Sequence, residues 1–246
     1  MIRSRPIVYA HRGASHELPE NTIEAFGLAI ELGADAIETD AHLTRDGRIV
    51  LSHDPSGARM AGVHKAIRDA TLAEVRGWDV GARFTGRSVK GAFRVPTLEE
   101  ALEALPDVVF NVDAKALGMV PALVRAIRDV RATDRVRIAS FSARNLRVAR
   151  ALGYEGETGL ATGEVARAML LPRVVGKRVV RGDAAQVPLS AYGIRFDTQR
   201  AIDRLHALGL RVDFWTVDDA AIAKRLFALG ADGVMTNDPR AVCVRA

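Results

Sequence analysis

Cysteine is almost absent from this sequence: the only one among its 246 residues is Cys243. A disulfide bond within the chain is therefore excluded, and so is a metal site built from several cysteine ligands. Lysine is scarce too, with 5 residues against 30 arginines. A lysine that falls beside acidic residues on a predicted strand is therefore a candidate functional residue.

Long apolar segments are also missing. No run comes near the roughly 18 apolar residues that a membrane-spanning helix needs. The first residues, MIRSRPIVYAHRG, contain no long apolar segment of the kind found in signal peptides. We therefore expect a cytoplasmic protein without stable membrane insertion.

Negative charge is in the minority, with 30 acidic residues against 35 lysines and arginines and a net charge of +5. The chain has no block of like charges, no zinc-finger spacing and no alternation of aromatic with basic residues, so we expect no nucleic-acid partner. The net positive charge is also consistent with weak attraction to anionic substrates or lipid head groups. Residues 164–181 mix cations with apolar residues, which favours a solvated helix and loop over a basic membrane surface.

Strand-like and helical segments alternate along the chain. We predict eight strands, each followed by a helix, at residues 6–10, 35–40, 108–115, 135–141, 157–162, 183–189, 210–217 and 232–237. This pattern over about 250 residues is typical of a closed (β/α)₈ TIM barrel. We predict one α/β domain over residues 1–246, with a small insertion at 54–95. An open doubly wound sheet is the alternative, but its phosphate-binding GxGxxG loop is missing.

Two strand-like runs end in a histidine followed by a charged residue, at His11-Arg12 and at His53-Asp54. The segment DAIETDAHLT between them predicts a strand, and Arg45-Asp46-Gly47 predicts a hairpin turn after it. A turn at that point places residue 39 opposite residue 53. His53 is therefore expected to return beside the carboxylates of the preceding strand.

Three acidic side chains are predicted to meet at the ends of two strands. Glu38, Asp40 and His42 alternate on one face of the second strand, and Asp113 and Lys115 share a face of the third. Because burying unpaired carboxylates is costly, a cation is expected beside them. Carboxylate oxygens suit Mg²⁺ or Ca²⁺. A zinc site that uses His42 is the alternative.

The predicted barrel brings these residues to one face. Catalytic groups of TIM barrels lie at the carboxyl ends of the strands. The candidates at such ends are His11, Arg12, Glu38, Asp40, Asp113, Lys115 and Trp215. A lone strand-end histidine or a single Glu-x-Asp is commonly structural, but their combination favours acid–base chemistry beside a metal and an anion.

The ordered motifs resemble those of the glycerophosphodiester phosphodiesterase family. The matching pieces are His11-Arg12-Gly13, Pro19-Glu20-Asn21-Thr22, Glu38-x-Asp40, His53-Asp54, PTLEEAL (96–102), FWTVDD (214–219) and GADGVMTNDP (230–239). The resemblance covers nearly the whole chain and is weakest over 142–182. One departure is Asp113, since glutamate is commoner at that position in the family.

The resemblance implies a metal-dependent hydrolase that converts small glycerophosphodiesters to glycerol 3-phosphate and an alcohol. It implies that His11 and His53 are the general acid and base, in an order that the sequence leaves open, beside one divalent cation. Arg12 and Lys115 are suited to clamp the phosphate. Trp215 either contacts the glycerol or belongs to the barrel core. The sequence does not predict an oligomeric state.

Two other functions remain open. A related barrel could act on lysophospholipids, as a lysophospholipase D does, and an apolar groove beside the site would favour this. A non-catalytic barrel that binds phosphate compounds is the second alternative, and the intact pair of His11 and His53 argues against it.

Overall fold

The computed structural model describes residues 5–86 and 91–243. Residues 87–90 of the predicted insertion and the two ends of the predicted domain lie outside the described residues. The strands are β1 (Ile7–His11), β2 (Ala36–Leu43), β3 (Ile49–Leu51), β4 (Val109–Ala114), β5 (Val136–Ala139), β6 (Ala184–Val187), β7 (Ser190–Ala191), β8 (Ile194–Arg195), β9 (Arg211–Phe214) and β10 (Gly233–Thr236).

Seven parallel strands follow one another around the sheet in the order β5-β4-β2-β1-β10-β9-β6. The two ends of this row are joined by a short segment, in which Thr158 pairs with Ile138 and Gly159 pairs with Ala184, both in parallel. Gly159 N donates to Ile138 O at 2.9 Å, and Leu160 N donates to Ala184 O at 2.9 Å. The predicted TIM barrel is therefore confirmed.

The fifth predicted strand, which completes the barrel between β5 and β6, is much shorter than predicted. We expected a strand over 157–162, but the described structure has isolated bridges at residues 158 and 159, and a helix already begins at residue 162. Its few backbone hydrogen bonds reach both neighbouring strands, so a complete strand is not needed to close the barrel.

The described residues form eleven α-helices, most of them around the outside of this barrel and two, at 58–61 and 72–76, within the insertion. They are α1 (Ile23–Glu31), α2 (Ala58–Ala61), α3 (Leu72–Arg76), α4 (Leu98–Ala104), α5 (Val120–Asp129), α6 (Ala143–Ala151), α7 (Thr162–Leu170), α8 (Arg173–Val179), α9 (Gln199–His206), α10 (Ala220–Ala228) and α11 (Pro239–Val242). Apolar residues of α4, α5 and α6 pack on β2, β4 and β5, and those of α7, α9 and α10 pack on β6, β9 and β10. No helix within the described ranges is long and apolar enough to cross a membrane.

Side-chain hydrogen bonds set where several helices begin. Thr22 accepts from Ala25 N at the start of α1, and Thr97 and Glu100 form a capping box at the start of α4. Thr71 and Glu74 form the same motif at α3. Threonine is favoured at these positions, because its short side chain satisfies the unpaired amides of a helix's first turn.

The hairpin after β2 has the predicted register. Ala41 lies opposite Leu51 and Leu43 lies opposite Ile49, and this register sets residue 39 opposite residue 53. The amide of Ser52 also donates to Asp40 O at 2.9 Å. His53 therefore returns to the level of Asp40, at the carboxyl end of the barrel strands.

The insertion packs on this hairpin and has a small apolar core of its own. Val50, Ile67, Val75, Trp78 and Phe93 belong to that core. The insertion approaches the carboxyl ends of β1 and β2, because Arg59 Nη2 lies 2.6 Å from Glu20 Oε1. It therefore borders the face where the candidate residues lie.

Two elements that follow β5 in the chain were not predicted from the sequence. One is helix α8, and the other is the hairpin of β7 and β8 between β6 and α9. The hairpin turns at Tyr192 and Gly193, both with positive φ, of 50° and 74°. A two-residue turn with positive φ at both positions matches the twist of its strands. Tyr192 is an unusual residue for such a turn, so the local sequence does not predict this hairpin.

Candidate active site

The turn after β1 depends on a glycine. Arg12 and Gly13 both have positive φ, of 62° and 85°. A Cβ on Gly13 would lie 2.7 Å from the carbonyl carbon of Ala25, so no other residue fits against α1 there without a shift. Arg12 N donates to Glu38 O at 2.8 Å. The His-Arg-Gly motif thus turns the chain sharply and leaves the side chains of His11 and Arg12 at the barrel mouth.

His11 is held by an asparagine from the far end of the chain. Its Nδ1 lies 2.7 Å from Asn237 Oδ1, and Asn237 Nδ2 donates to Asp218 Oδ2 at 2.9 Å. That second bond orients the amide so that its oxygen faces the ring. The ring therefore carries its proton on Nδ1, and Nε2, which lies 3.7 Å from Glu38 Oε2, is left as a proton acceptor. Burial, reinforced by Arg12, lowers the pKa of His11.

His53 is oriented in a similar way, by its neighbour in sequence. Its Nδ1 lies 2.8 Å from Asp54 Oδ1, and Asp54 Oδ2 accepts from Arg59 Nε at 2.5 Å. The backbone carbonyl of His53 accepts from His42 Nε2 at 3.3 Å. Both the ring and the backbone of His53 are therefore fixed by neighbouring side chains.

The three predicted carboxylates are buried side by side, with Asp40 directly opposite Asp113 in the pairing of β2 with β4. Lys115 Nζ lies 2.7 Å from Asp40 Oδ1 and 2.7 Å from Asp113 Oδ2. Arg12 Nε lies 3.1 Å from Asp40 Oδ2. Asp40 is therefore paired on both oxygens, whereas Glu38 receives less positive charge.

Burial and these charges act on the carboxylates in opposite directions. Burial alone would raise the pKa of Asp40, but Lys115 and Arg12 outweigh it and lower that pKa. Burial, with Asp40 and Asp113 as like-charged neighbours, raises the pKa of Glu38 well above its usual value. Burial also raises the pKa of Asp113, in spite of Lys115. Glu38 and Asp113 therefore receive too little positive charge to offset the cost of burying their ionised forms.

Two of these oxygens have no hydrogen-bond partner among the described residues. Glu38 Oε2 and Asp113 Oδ1 are buried and take part in no hydrogen bond with them. Orphaned carboxylate oxygens of this kind fit a hard divalent cation. Within the described ranges, no group of three or more His, Cys, Asp or Glu side chains is arranged as a ready-made metal site.

All eight predicted site residues line one pocket of about 200 Å³ at the barrel mouth: His11, Arg12, Glu38, Asp40, His53, Asp113, Lys115 and Trp215. His42, the alternative zinc ligand, does not line it and contacts the backbone of His53 instead. Trp215 packs edge-to-face on Phe141, with ring centroids 5.8 Å apart, so its ring forms part of the pocket wall.

A second, apolar groove of about 290 Å³ adjoins this pocket. It shares Phe141, Leu160, Gln186 and Trp215 with the pocket. Its other side is formed by α7 and by the unpredicted hairpin of β7 and β8, and includes Val165, Tyr192, Ile194 and Phe196. A polar pocket and an apolar groove are thus continuous across Trp215.

Two asparagines that support the site were not predicted as site residues, although Asn21, like Thr22, was a candidate cap of the first helix. Asn21 accepts from Thr39 Oγ1 at 2.7 Å and donates to Asp40 Oδ2 at 3.3 Å, so it supports Asp40 while Thr22 caps the helix. Asn237 holds His11. Both lie in motifs that carried the family resemblance, but their partners lie on other strands, which no local pattern reveals.

Comparison with known proteins agrees with this architecture. The sequence profile of the Glycerophosphoryl diester phosphodiesterase family matches residues 11–241. A glycerophosphodiester phosphodiesterase of Caldanaerobacter subterraneus subsp. tengcongensis is 32% identical over 96% of this chain and 95% of that protein. A probable glycerophosphodiester phosphodiesterase 2 of Mycobacterium tuberculosis is 36% identical over 94% of this chain and 87% of that protein. A human lysophospholipase D is 25% identical over 94% of this chain and 82% of that protein.

Among solved structures, a putative glycerophosphoryl diester phosphodiesterase from Silicibacter pomeroyi superposes with a TM-score of 0.82. The alignment covers 98% of this chain and 92% of that one, at 24% identity. Together with the family match, the barrel defines a phosphoric diester hydrolase. Within that class, the chain belongs to the glycerophosphoryl diester phosphodiesterase family, and the resemblance predicted from its motifs is confirmed.

Proposed function

We propose that this enzyme hydrolyses glycerophosphodiesters to glycerol 3-phosphate and an alcohol, with His11 and His53 as the acid–base pair and one divalent cation. The observation that carries the proposal is that both histidines line one pocket while a side-chain oxygen holds Nδ1 of each, at 2.7 Å and 2.8 Å. Each ring is thereby oriented and keeps Nε2 free for the substrate.

The phosphate is expected to bind between Arg12 and Lys115, which are the cations of the pocket wall. A guanidinium matches two phosphate oxygens and an ammonium adds a point charge. Both cations are held by Asp40, at 3.1 Å and 2.7 Å, so little reorganisation is needed when the anion arrives. Trp215 then faces the organic part of the substrate.

Hydrolysis needs one proton removed from the attacking hydroxyl and one delivered to the leaving alcohol. The lowered pKa of His11 keeps its ring neutral, which suits the base. His53, whose Nδ1 is bonded to Asp54, is then left to donate the proton. Asp54 Oδ1 contacts Nδ1 of that ring and so fixes the direction in which its Nε2 faces the pocket.

Glu38 and Asp113 would hold the cation through their unpartnered oxygens, with Asp40 beside them. A bound divalent cation supplies Lewis-acid stabilisation of the charge on the phosphoryl oxygens. Asp113 is shorter than the glutamate commoner in the family by about one C–C bond, roughly 1.5 Å, and one of its oxygens already contacts Lys115. Glu38 is therefore expected to contribute more to cation binding than Asp113.

Release of phosphate monoester from glycerophosphocholine, with and without EDTA, tests the activity and its metal dependence. We expect EDTA to abolish turnover and Mg²⁺ or Ca²⁺ to restore it. Direct calorimetric titration of the cation should show loss of binding in Glu38→Gln but not in Glu24→Gln, a matched change at an exposed site. Full turnover in EDTA, or native cation binding by Glu38→Gln, would contradict the proposed metal site.

The apolar groove favours a second candidate function, hydrolysis of lysophospholipids. Its continuity with the pocket lets an acyl chain on the glycerol part of the substrate extend across Trp215 into the groove while the head-group alcohol leaves, and one relative is a human lysophospholipase D. Turnover of lysophosphatidylcholine and glycerophosphocholine should be compared in the native chain and in Ile194→Asp. Selective loss of lysophosphatidylcholine turnover in Ile194→Asp supports this function and the role of the groove. Absence of lysophosphatidylcholine turnover in the native chain excludes the function, and equal turnover in both proteins excludes the role of the groove.

A further inference from the structure

One part of the surface combines exposed apolar side chains with unpaired positive charge. It consists of residues 167–181, which run from the second half of α7 through α8, and is called here the α7–α8 surface. Eight large apolar residues of the described chain are well exposed, and four of them lie in this segment: Leu170, Val174, Val175 and Val179. Leu170 and Val174 are 73% and 68% exposed.

The charge of this surface has one sign. Between Glu164 and Asp183 the sequence has no acidic residue, and its cations are Arg167, Arg173, Lys177, Arg178 and Arg181. The two flanking acids are already engaged, since Glu164 lies 2.7 Å from Arg150 Nη1 and Asp183 accepts from Thr158 N at 2.7 Å. No cation of the segment forms an ion pair within the described part of the chain.

Helix α8 is anchored on one side and exposed on the other. Gly176 is the buried residue of α8, and a Cβ there would lie 3.1 Å from Leu208. Val174 and Arg178 lie on the opposite side of the helix, because they are two residues away from Gly176 in each direction. An apolar residue and a cation therefore project together into solvent.

A shallow cleft beside α8 adds further positive charge. It is lined by Arg173, Arg200 and Arg204, with Asp203 as its carboxylate. Arg204 Nε donates to Ala168 O at 2.8 Å, so the end of α7 and the side of α9 are fixed to each other around it. Three guanidinium groups against one carboxylate suit a phosphate group.

The location of this surface follows from the barrel topology. Helix α7 begins beside the mouth at Thr162 and ends at Leu170, and α8 fills the connection to the start of β6. The α7–α8 surface therefore lies at the amino ends of the strands, whereas His11 and Asp113 lie at the carboxyl ends.

We propose that the α7–α8 surface docks this enzyme on an anionic lipid bilayer, with the catalytic mouth turned towards water. Exposed aliphatic side chains can enter the interfacial region while neighbouring cations contact acidic head groups. Nucleic acid fits this surface less well than a bilayer. Its phosphate backbone offers no apolar region for the exposed aliphatic side chains, and the segment has no aromatic ring on which bases could stack. This inference goes beyond the proposed hydrolysis and does not depend on it.

Co-sedimentation of the full chain with vesicles tests the docking. We expect binding to vesicles with about one third phosphatidylglycerol, weak binding to pure phosphatidylcholine, and release by salt, since the attraction is largely electrostatic. Leu170→Glu/Val174→Glu and Arg178→Glu/Arg181→Glu should each weaken binding by about tenfold or more. Both should keep the circular dichroism spectrum and the unfolding midpoint of the native chain, which would show that they remain folded.

Two control variants locate the contact. Arg68→Glu changes an exposed arginine of the insertion, and Leu117→Glu changes a leucine that is 63% exposed and lies beyond the carboxyl end of β4. Both should bind vesicles like the native chain. The proposal is wrong if the native chain binds no anionic vesicles, or if the two α7–α8 variants bind as it does. It is also wrong if Leu117→Glu alone abolishes binding. A further contradicting result is normal vesicle binding by Leu170→Glu/Val174→Glu together with complete displacement of the vesicles by heparin, because the contact would then be with polyanions in general.

Discussion

Asn237 Oδ1 lies 2.7 Å from His11 Nδ1, although the two residues are 226 positions apart in the chain. The pairing of β1 with β10 makes this contact, because Ala10 lies opposite Thr236 in the last parallel register of the barrel. A candidate catalytic residue near the amino terminus is therefore oriented by an amide near the carboxyl terminus.

Asn237→Asp should change the pH profile of the enzyme. A carboxylate beside the ring stabilises its charged form and raises the pKa of His11. The base is then protonated at higher pH, so the acidic limb of kcat/KM should move to higher pH. Asn237→Ala should lower turnover by about tenfold, less than the roughly 10²–10⁴-fold expected for loss of an acid–base group. An unchanged limb in Asn237→Asp would show that the contact does not tune His11.

His11→Ala and His53→Ala should each lower turnover by about 10²–10⁴-fold, the usual contribution of one acid–base group. The barrel should remain folded, because both side chains stand at strand ends and line the pocket. The two losses should not multiply, as is found for residues that act together.

An aryl leaving group tests how the two roles are divided. It needs little protonation when it departs, so it should rescue the variant that lacks the acid but not the one that lacks the base. We expect rescue of His53→Ala and none of His11→Ala. Rescue of His11→Ala alone would reverse the assignment, and losses of only a few-fold in both variants would exclude the two-histidine mechanism.

Arg59 should act as a positioning residue supplied by the insertion. It lies 2.5 Å from Asp54, which holds His53, and 2.6 Å from Glu20, which pairs with Arg12. Arg59→Gln removes the charge from both contacts and should lower kcat by about tenfold, a fraction of the roughly 10²–10⁴-fold contribution of His53. Arg68→Gln, in the same insertion, is the control. Equal kinetics in the two variants would exclude this role.

Asp213→Asn should destabilise the barrel. Asp213 is fully buried, and its Oδ2 lies 2.7 Å from Arg137 Nη1. Breaking a buried ion pair leaves an uncompensated charge and costs about 3–5 kcal/mol, and Glu157, which also pairs with Arg137, should keep the loss near the lower end. Urea unfolding measures it, with the exposed change Asp203→Asn as control. A loss no larger than that of the control would contradict the prediction.

His42 should make stability depend on pH. Burial lowers its pKa below the ordinary value of 6.5, so below that pH the unfolded chain binds a proton that the native chain lacks. The free energy of unfolding therefore falls as pH decreases, by up to about 1.4 kcal/mol per pH unit. His42→Gln keeps an N–H donor for His53 O and should show a shallower fall between pH 6.5 and 5.5. His11 contributes in the same direction and remains in both proteins.

The sequence alone determined the local parts of this enzyme. Alternation along β2 and the turn after it depend on neighbouring residues, and the register of Ala41 with Leu51 followed from them. The threonine caps of α1, α3 and α4 are equally local. Eight strand–helix periods then restricted the topology to a barrel, whose strand ends brought the predicted site residues together. The single-domain prediction and the catalytic roles stay predictions.

The tertiary structure decided which distant residues meet. Asn237 reaches His11 only because β10 pairs with β1, and the apolar groove exists because the hairpin of β7 and β8 stands beside α7. The short segment that joins β5 to β6 also depends on its neighbours, because its backbone hydrogen bonds go to Ile138 and Ala184. Turn and strand propensities act over a few residues, whereas these contacts are fixed by closure of the whole sheet. Local sequence patterns therefore do not predict these long-range contacts.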